Sequence, residues 1–200
     1  MHYNFNKELE IPGWSPPELL SFLNHCVSTM EGDNIYLEVG SFCGRSLAGA
    51  LKGNDKHAFV VDPLDLMTGV GSTFDLWHAT VEFFQLKDRV TLWKGKSENF
   101  DIEIPRSVQV FLYDGNHDSG FTYEGLNKFK QYLSKESIII VDDYNIFGGH
   151  EQIPYKGHAV DIQTPVKTDT DRWIEEHKSN VKEVKFTNWL NGQAIIFYES

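Results

Sequence analysis

Positive charge, cysteine and long apolar runs are all scarce in this 200-residue chain. Lysine and arginine number 18 against 29 aspartates and glutamates, for a formal net charge of −11. A nucleic-acid backbone is bound by a basic face, so DNA or RNA is not the expected partner. Two cysteines, Cys26 and Cys43, are too few for a disulfide framework. No apolar run reaches the roughly 18 residues of a membrane span; the longest β-rich one is Ile138-Ile139-Ile140-Val141. Lys7, Glu8 and Glu10 stand where a signal peptide would carry an apolar stretch. Internal repeats, low-complexity tracts and linkers are also missing. What remains is ample core material, 40% hydrophobic and 14% aromatic residues, which excludes global disorder. The expectation is one soluble, cytoplasmic domain spanning 1–200, with no membrane partner.

The order of elements is an alternation. Ser15-Pro16-Pro17-Glu18 reads as a capping box with Ser15 as the cap. Leu19, Leu23, Cys26, Val27 and Met30 follow at helical spacing, and Gly32 ends the pattern. Ile35–Val39 reads as a strand buried on both faces and stopped by Gly40. Residues 45–52 suit a helix and 58–61 a second strand. Ser72-Thr73-Phe74-Asp75 is another capping box, opening a helix with Phe74, Trp77, Val81 and Phe84 along one face. Strands follow at 90–93 and 108–113. The next helix points Leu126, Phe129 and Leu133 inward, and a fifth strand covers 138–141. Pro165 interrupts any long helix in 150–178, although 171–177 is again helical in pattern. Residues 181–186 and 194–198, joined across Asn191-Gly192, read as a closing antiparallel pair. The expected architecture is α/β, a doubly wound, mainly parallel sheet with a C-terminal hairpin. Within it, 1–33 form a helical cover, 34–150 the core and 151–200 a further segment with the closing hairpin.

In such sheets ligands sit beyond the carboxyl ends of the strands, so the residues after each strand are the candidates. The first strand is followed by Gly40-Ser41-Phe42-Cys43-Gly44-Arg45-Ser46, a turn bounded by glycines that let backbone approach a ligand. It has neither G-x-G-x-x-G nor the Gly-Lys-Ser/Thr of a triphosphate loop. Asp62 ends the second strand, as a cap for the next segment or as acceptor for two ribose hydroxyls. Gly95-Lys96-Ser97 ends the third, as an adenine edge or a plain turn. The fourth ends in Asp114-Gly115-Asn116-His117 and the fifth in Asp142-Asp143-Tyr144. A sheet with no ligand has no need of a small or acidic polar group at every top.

Leu37-Glu38-Val39-Gly40-Ser41-Phe42-Cys43-Gly44-Arg45-Ser46 resembles the first motif of class I S-adenosylmethionine-dependent methyltransferases, in the variant of the catechol and caffeoyl-CoA O-methyltransferases. Phe111 to His117 and Ile140 to Tyr144 are similar to the related small sugar and antibiotic O-methyltransferases. The likeness runs over 15–150 in motif order. It implies a Rossmann-like seven-stranded fold and S-adenosylmethionine as cofactor. It also implies that Gly40, Ser41, Gly44 and Ser46 cradle the methionine and that Glu38 reaches its amino group. Asp62 would take the ribose, Gly95 and Ser97 the adenine, and Asp114 would lie near the methionine. In the metal-dependent branch, the resemblance implies Asp114, Asp142 and Asp143 as oxygen ligands for Mg²⁺ or another divalent cation. His117 stands where that branch carries a lysine base. Histidine titrates near neutrality, so it is expected to act as the base beside Asp114.

The resulting expectation is O-methylation of a small-molecule hydroxyl, on a sugar or natural product, beneath loops 69–74 and 144–150. Gly69, Gly71 and Gly148-Gly149 would give those loops freedom, and Trp14, Trp77 and Phe147 an apolar wall. Cys43 reads as a packing residue, and His2, His25, His57 and His78 show no ligand spacing. Two other readings remain: a cofactor-binding protein of this fold without transferase activity, and a nicotinamide-dependent reductase. The latter lacks both the usual glycine spacing and a Tyr-x-x-x-Lys pair. A homo-oligomer is left open by a single chain.

Overall fold

The structure, a computed structural model, describes residues 8–145 and 164–200. Its main strands are β1 (Ile35–Val39), β2 (Ala58–Asp62), β3 (Val90–Lys94), β4 (Val108–Tyr113), β5 (Leu133–Val141), β6 (Val181–Phe186) and β7 (Ala194–Glu199). They form one sheet in the order β3-β2-β1-β4-β5-β7-β6. The five strands from β3 to β5 pair in parallel, and β7 pairs antiparallel with both β5 and β6. Chain order reverses at β1, whose neighbours are β2 on one side and β4 on the other. A crevice opens at such a reversal, beyond the carboxyl ends.

The helices are α1 (Pro17–Ser28), α2 (Arg45–Leu51), α3 (Thr73–Phe83), α4 (Phe121–Phe129) and α5 (Pro165–Glu176). They cover both faces of the sheet. On one face Leu37, Val39, Phe111, Tyr113, Ile139 and Val141 pack with Phe129 of α4 and Trp173 of α5. On the other, Tyr36, Val60, Val110, Leu112 and Ile140 pack with Leu19 and Leu23 of α1, Leu47 of α2 and Trp77 of α3. Neighbouring strand residues point to opposite faces, so a strand covered twice must be apolar throughout, as β1 and β2 are but for Glu38 and Asp62. None of the described helices is long and apolar enough to cross a membrane.

The expected α/β class, with a mainly parallel sheet and a closing antiparallel hairpin, is observed, with local corrections. Ser15 does not cap α1; Pro16 is the cap residue, and its hydrocarbon ring has no oxygen to accept a capping bond. The Ser72 box does form: Ser72 Oγ accepts from the Asp75 amide at 3.1 Å. Phe74 is partly exposed, and Leu76 and Thr80 fill the buried face of α3 beside Trp77 and Val81. Leu133 opens β5, which is nine residues long and not confined to 138–141. Pro165 starts α5: Thr164 accepts from the Lys167 amide at 3.0 Å, and proline's missing N–H costs nothing in a first turn.

Candidate active site

A cleft of about 860 Å³ lies over the carboxyl ends of β1, β2, β4 and β5. The turn after β1 forms one wall. Gly40 (φ 85°) and Gly44 (φ 83°) adopt left-handed backbone, as does Phe42 between them (φ 52°). A Cβ at Gly40 would collide with the backbone carbonyl of Asp114, so only glycine lets the tops of β1 and β4 meet. Asp62 fixes the turn from beneath. Its Oδ2 accepts from the amides of Ser41 (2.6 Å) and Phe42 (2.9 Å), and its Oδ1 from Leu64 (2.6 Å). Asp62 therefore does cap the segment that follows it, and it binds the glycine turn as well. Burial raises its pKa, and the three amide bonds work against that rise.

Glu38 lies below the cleft, fully buried in β1. Tyr36 donates to Oε2 at 2.6 Å and Ser46 to Oε1 at 2.9 Å. Burial pushes its pKa up to about 7 despite these hydroxyls. Ser41 Oγ in turn accepts from Trp77 Nε1 at 3.1 Å. Trp77 thus supports the turn from inside the core rather than forming a wall of the cleft.

The opposite wall is built from the tops of β4 and β5. His117 Nε2 lies 3.4 Å from Asp114 Oδ1 and 3.5 Å from Asp143 Oδ2. These three groups gather around one point. The Nε2 atom is buried and has no hydrogen-bond partner among the described residues. Asp143 is left-handed (φ 55°), which breaks the strand alternation so that it lines the cleft together with Asp142. Asp142 is held differently. Its Oδ1 accepts from Gln193 Nε2 at 2.6 Å and from the Asp143 amide at 2.8 Å. Its carboxyl is outside the group of three, in contrast to the expected Asp114-Asp142-Asp143 set. Burial, then the neighbouring carboxylates, hold the pKa of both Asp114 and Asp142 well above the usual range.

Gly40, Ser41, Ser46, Asp62, Ser97, Asp114, His117, Asp142 and Asp143 all line the cleft. Gly44 and Gly95 are outside its lining. A side chain at Gly44 would meet Thr80 and Trp77, and one at Gly95 the ring of Trp93, so both serve packing here. Phe147 and 146–150 lie outside the described residues.

Two contributors escaped the sequence reading. The first is the anchoring of segment 8–16. Arg45 reaches back from α2 and donates through Nε to the Ile11 carbonyl (2.7 Å) and through Nη2 to Leu9 (3.2 Å). That anchors the segment and sets exposed Trp14 against Phe42, with ring centroids 5.5 Å apart, at the rim of the cleft. No local pattern marks such an anchor. The second is the β6–β7 connection. Asn191, read from the sequence only as part of a turn, holds Asp143 (2.7 Å, from Nδ2), and Gln193, which no sequence pattern singles out, holds Asp142.

The model of a family described as a methyltransferase domain matches residues 37–144, more than half the chain. An uncharacterized protein, R132, of Acanthamoeba polyphaga mimivirus is 26% identical over 138 residues, 66% of this chain and 61% of that one. This chain thus spans less than two thirds of the length of that curated relative. Among solved structures, an O-methyltransferase from Bacillus cereus in complex with SAH superposes with a TM-score of 0.69. The superposition covers 96% of this chain and 86% of that one, at 16% identity. The O-methyltransferase TomG from Streptomyces achromogenes, in complex with SAM, gives a TM-score of 0.65 at 12% identity over 94% and 82% of the two chains. At such identities these likenesses establish the fold.

Proposed function

Starting from the fact that this chain belongs to the methyltransferase-domain family, we propose that it transfers the methyl group of S-adenosylmethionine to a hydroxyl of a small molecule. The observation that carries the reading is the pairing of Asp62 with the glycine turn at the tops of adjacent strands, on the wall of a cleft. The residues fit the cofactor. Gly40 and Ser41 are small enough for close approach, Asp62 lines the cleft and would take the ribose, and Glu38 beneath the turn would take the methionine end. S-adenosylmethionine supplies an electrophilic methyl on a sulfonium, so the reaction is an in-line displacement in which positioning gives most of the rate. The acceptor oxygen forms the new C–O bond as the C–S bond breaks.

The hydroxyl proton leaves to the Asp114–His117–Asp143 group, whose members face the same cleft. The orphaned Nε2 of His117 between two carboxylates also fits a divalent cation, which would supply Lewis acidity toward an acceptor oxygen. Trp14 at the rim gives an apolar face against which a sugar ring or natural product can lie. The net charge of −11 disfavours nucleic-acid acceptors.

Calorimetric titration of S-adenosylhomocysteine tests the reading. The expected result is saturable binding, weakened tenfold or more in Asp62→Ala, with a melting curve that establishes folding of the variant. Absence of heat with S-adenosylhomocysteine, together with binding of NAD, would overturn it in favour of a nicotinamide enzyme.

A further inference from the structure

We propose that His117 is a metal ligand, and that with Asp114 and Asp143 it forms a mixed nitrogen–oxygen site that prefers a first-row transition-metal dication to Mg²⁺. The proposal deepens the methyl-transfer reading and rests on it for the use of the ion. Its structural basis is independent of the cofactor.

Three observations converge. The first is spacing. Charge-assisted N–H···O bonds run about 2.7–2.9 Å, and His117 Nε2 is 3.4 and 3.5 Å from its two carboxylate oxygens. Ligands bound at about 2.0–2.2 Å to one ion stand about 2.8–3.1 Å apart at octahedral angles and about 3.3–3.6 Å apart at tetrahedral ones. The observed distances are long for hydrogen bonds and right for two ligands of a shared ion. The second is the state of the nitrogen. Among the described residues Nε2 is buried and unpartnered, and such an atom normally finds a partner or a water. The third is the fate of Asp142. The resemblance casts it as a ligand, yet Gln193 Nε2 and the Asp143 amide both donate to its Oδ1, and its carboxyl is outside the group. His117 supplies the third donor that Asp142 does not.

The three donors come from different attachments: the end of β4, the loop after it and the end of β5. Asn191 orients Asp143 from its far oxygen, leaving Oδ2 toward His117. A neutral imidazole changes the selectivity. Mg²⁺ favours all-oxygen shells, whereas imidazole suits Co²⁺, Ni²⁺ and Zn²⁺, which also bind more tightly along the divalent series. It changes the proton bookkeeping too: a nitrogen that holds an ion cannot take the acceptor proton, so that proton passes to a carboxylate of the group. His117 is then a ligand and not the base its sequence position suggests.

The test uses the full chain and the metals alone. Co²⁺ and Mg²⁺ are titrated separately by calorimetry, and the Co²⁺ sample is followed by its visible absorption. Co²⁺ is expected to bind at least tenfold more tightly than Mg²⁺. His117→Gln should abolish that preference and change the Co²⁺ spectrum, with S-adenosylhomocysteine binding held within about twofold. Asp142→Asn should leave the preference in place. Equal affinities for the two metals, or an unchanged Co²⁺ spectrum in His117→Gln, would overturn the assignment. No metal binding at all would overturn it as well. The unmutated chain separates this result from failure of the broader reading. S-adenosylhomocysteine binding without metal preference defeats only the ligand assignment, and metal preference without S-adenosylhomocysteine binding defeats only the cofactor.

Discussion

The two walls of the cleft are built on opposite electrostatic plans. On the β1–β2 side every polar group has its partner: Asp62 holds three amides, Glu38 two hydroxyls, and Ser41 the Trp77 indole. On the β4–β5 side Asp114 and Asp143 crowd around a histidine nitrogen that has no hydrogen bond among the described residues. A satisfied network is rigid before its ligand arrives, whereas a crowded, unsatisfied one is completed by what it binds. The first wall reads as a preformed seat for an invariant cofactor. The second reads as the place where charge is handled during the reaction.

Breaking the preformed wall should cost most. Gly40→Ala places a Cβ on left-handed backbone and against the Asp114 carbonyl, so neither neighbour can yield without parting β1 from β4. A loss of about 4 kcal/mol or more is expected in urea denaturation, or failure to accumulate folded protein. Gly53→Ala is the control. It is also left-handed (φ 69°) but has nothing within 4 Å of its added Cβ, and it should cost about 1 kcal/mol. Equal losses in the two would mean that the β1–β4 contact is not the constraint.

Next in size is the pH dependence carried by Glu38. Its pKa is near 4.5 in the unfolded chain and about 7 in the fold. Between those values the folded state holds more proton than the unfolded, so stability falls as pH rises from 4.5 toward 7 and then levels off. The accumulated loss is about 3 kcal/mol. Glu38→Gln mimics the neutral form and should remove that part of the slope. A variant curve parallel to that of the unmutated protein from pH 4.5 to 7 would show that Glu38 stays ionised.

The same contrast explains what could be read from sequence. Strands β1, β2 and β4 were legible because a strand buried on both faces must be apolar throughout, and the glycine turn and terminal acids follow at once. Asp62 and the tandem Asp142-Asp143 were visible for that reason. Their partners were not. Gln193 reaches Asp142 across 51 residues, and Arg45 reaches Ile11 across 34, through packing that no local pattern encodes. The exchange of Asp142 for His117 in the gathered group depends on those distant amides and on left-handed backbone at Asp143. Leu133 was misassigned because one apolar residue between a helix and a strand fits either period.

The smallest expected effect is also the one that separates the walls by sign. Asp114 sits beside Asp143 and within the field of Glu38 and Asp62, and burial with these charges holds its pKa well above the usual carboxylate range. In the metal-free protein its ionised form is therefore a source of strain and not of stability. Asp114→Asn keeps the shape and removes one charge from the crowd. It should raise metal-free stability by about 0.5–1 kcal/mol at pH 7, in the pattern of reactive sites whose groups are held against their own stability. The same change should abolish cation binding and cut methyl transfer by a hundredfold or more, because a donor and a charge leave the group of three. Urea denaturation in the presence of chelator reads the first effect, and titration with Co²⁺ reads the second. A destabilised Asp114→Asn protein would mean that the contact with His117 already compensates the two carboxylates. The β4–β5 wall would then be as satisfied as its counterpart, and the contrast between them would disappear.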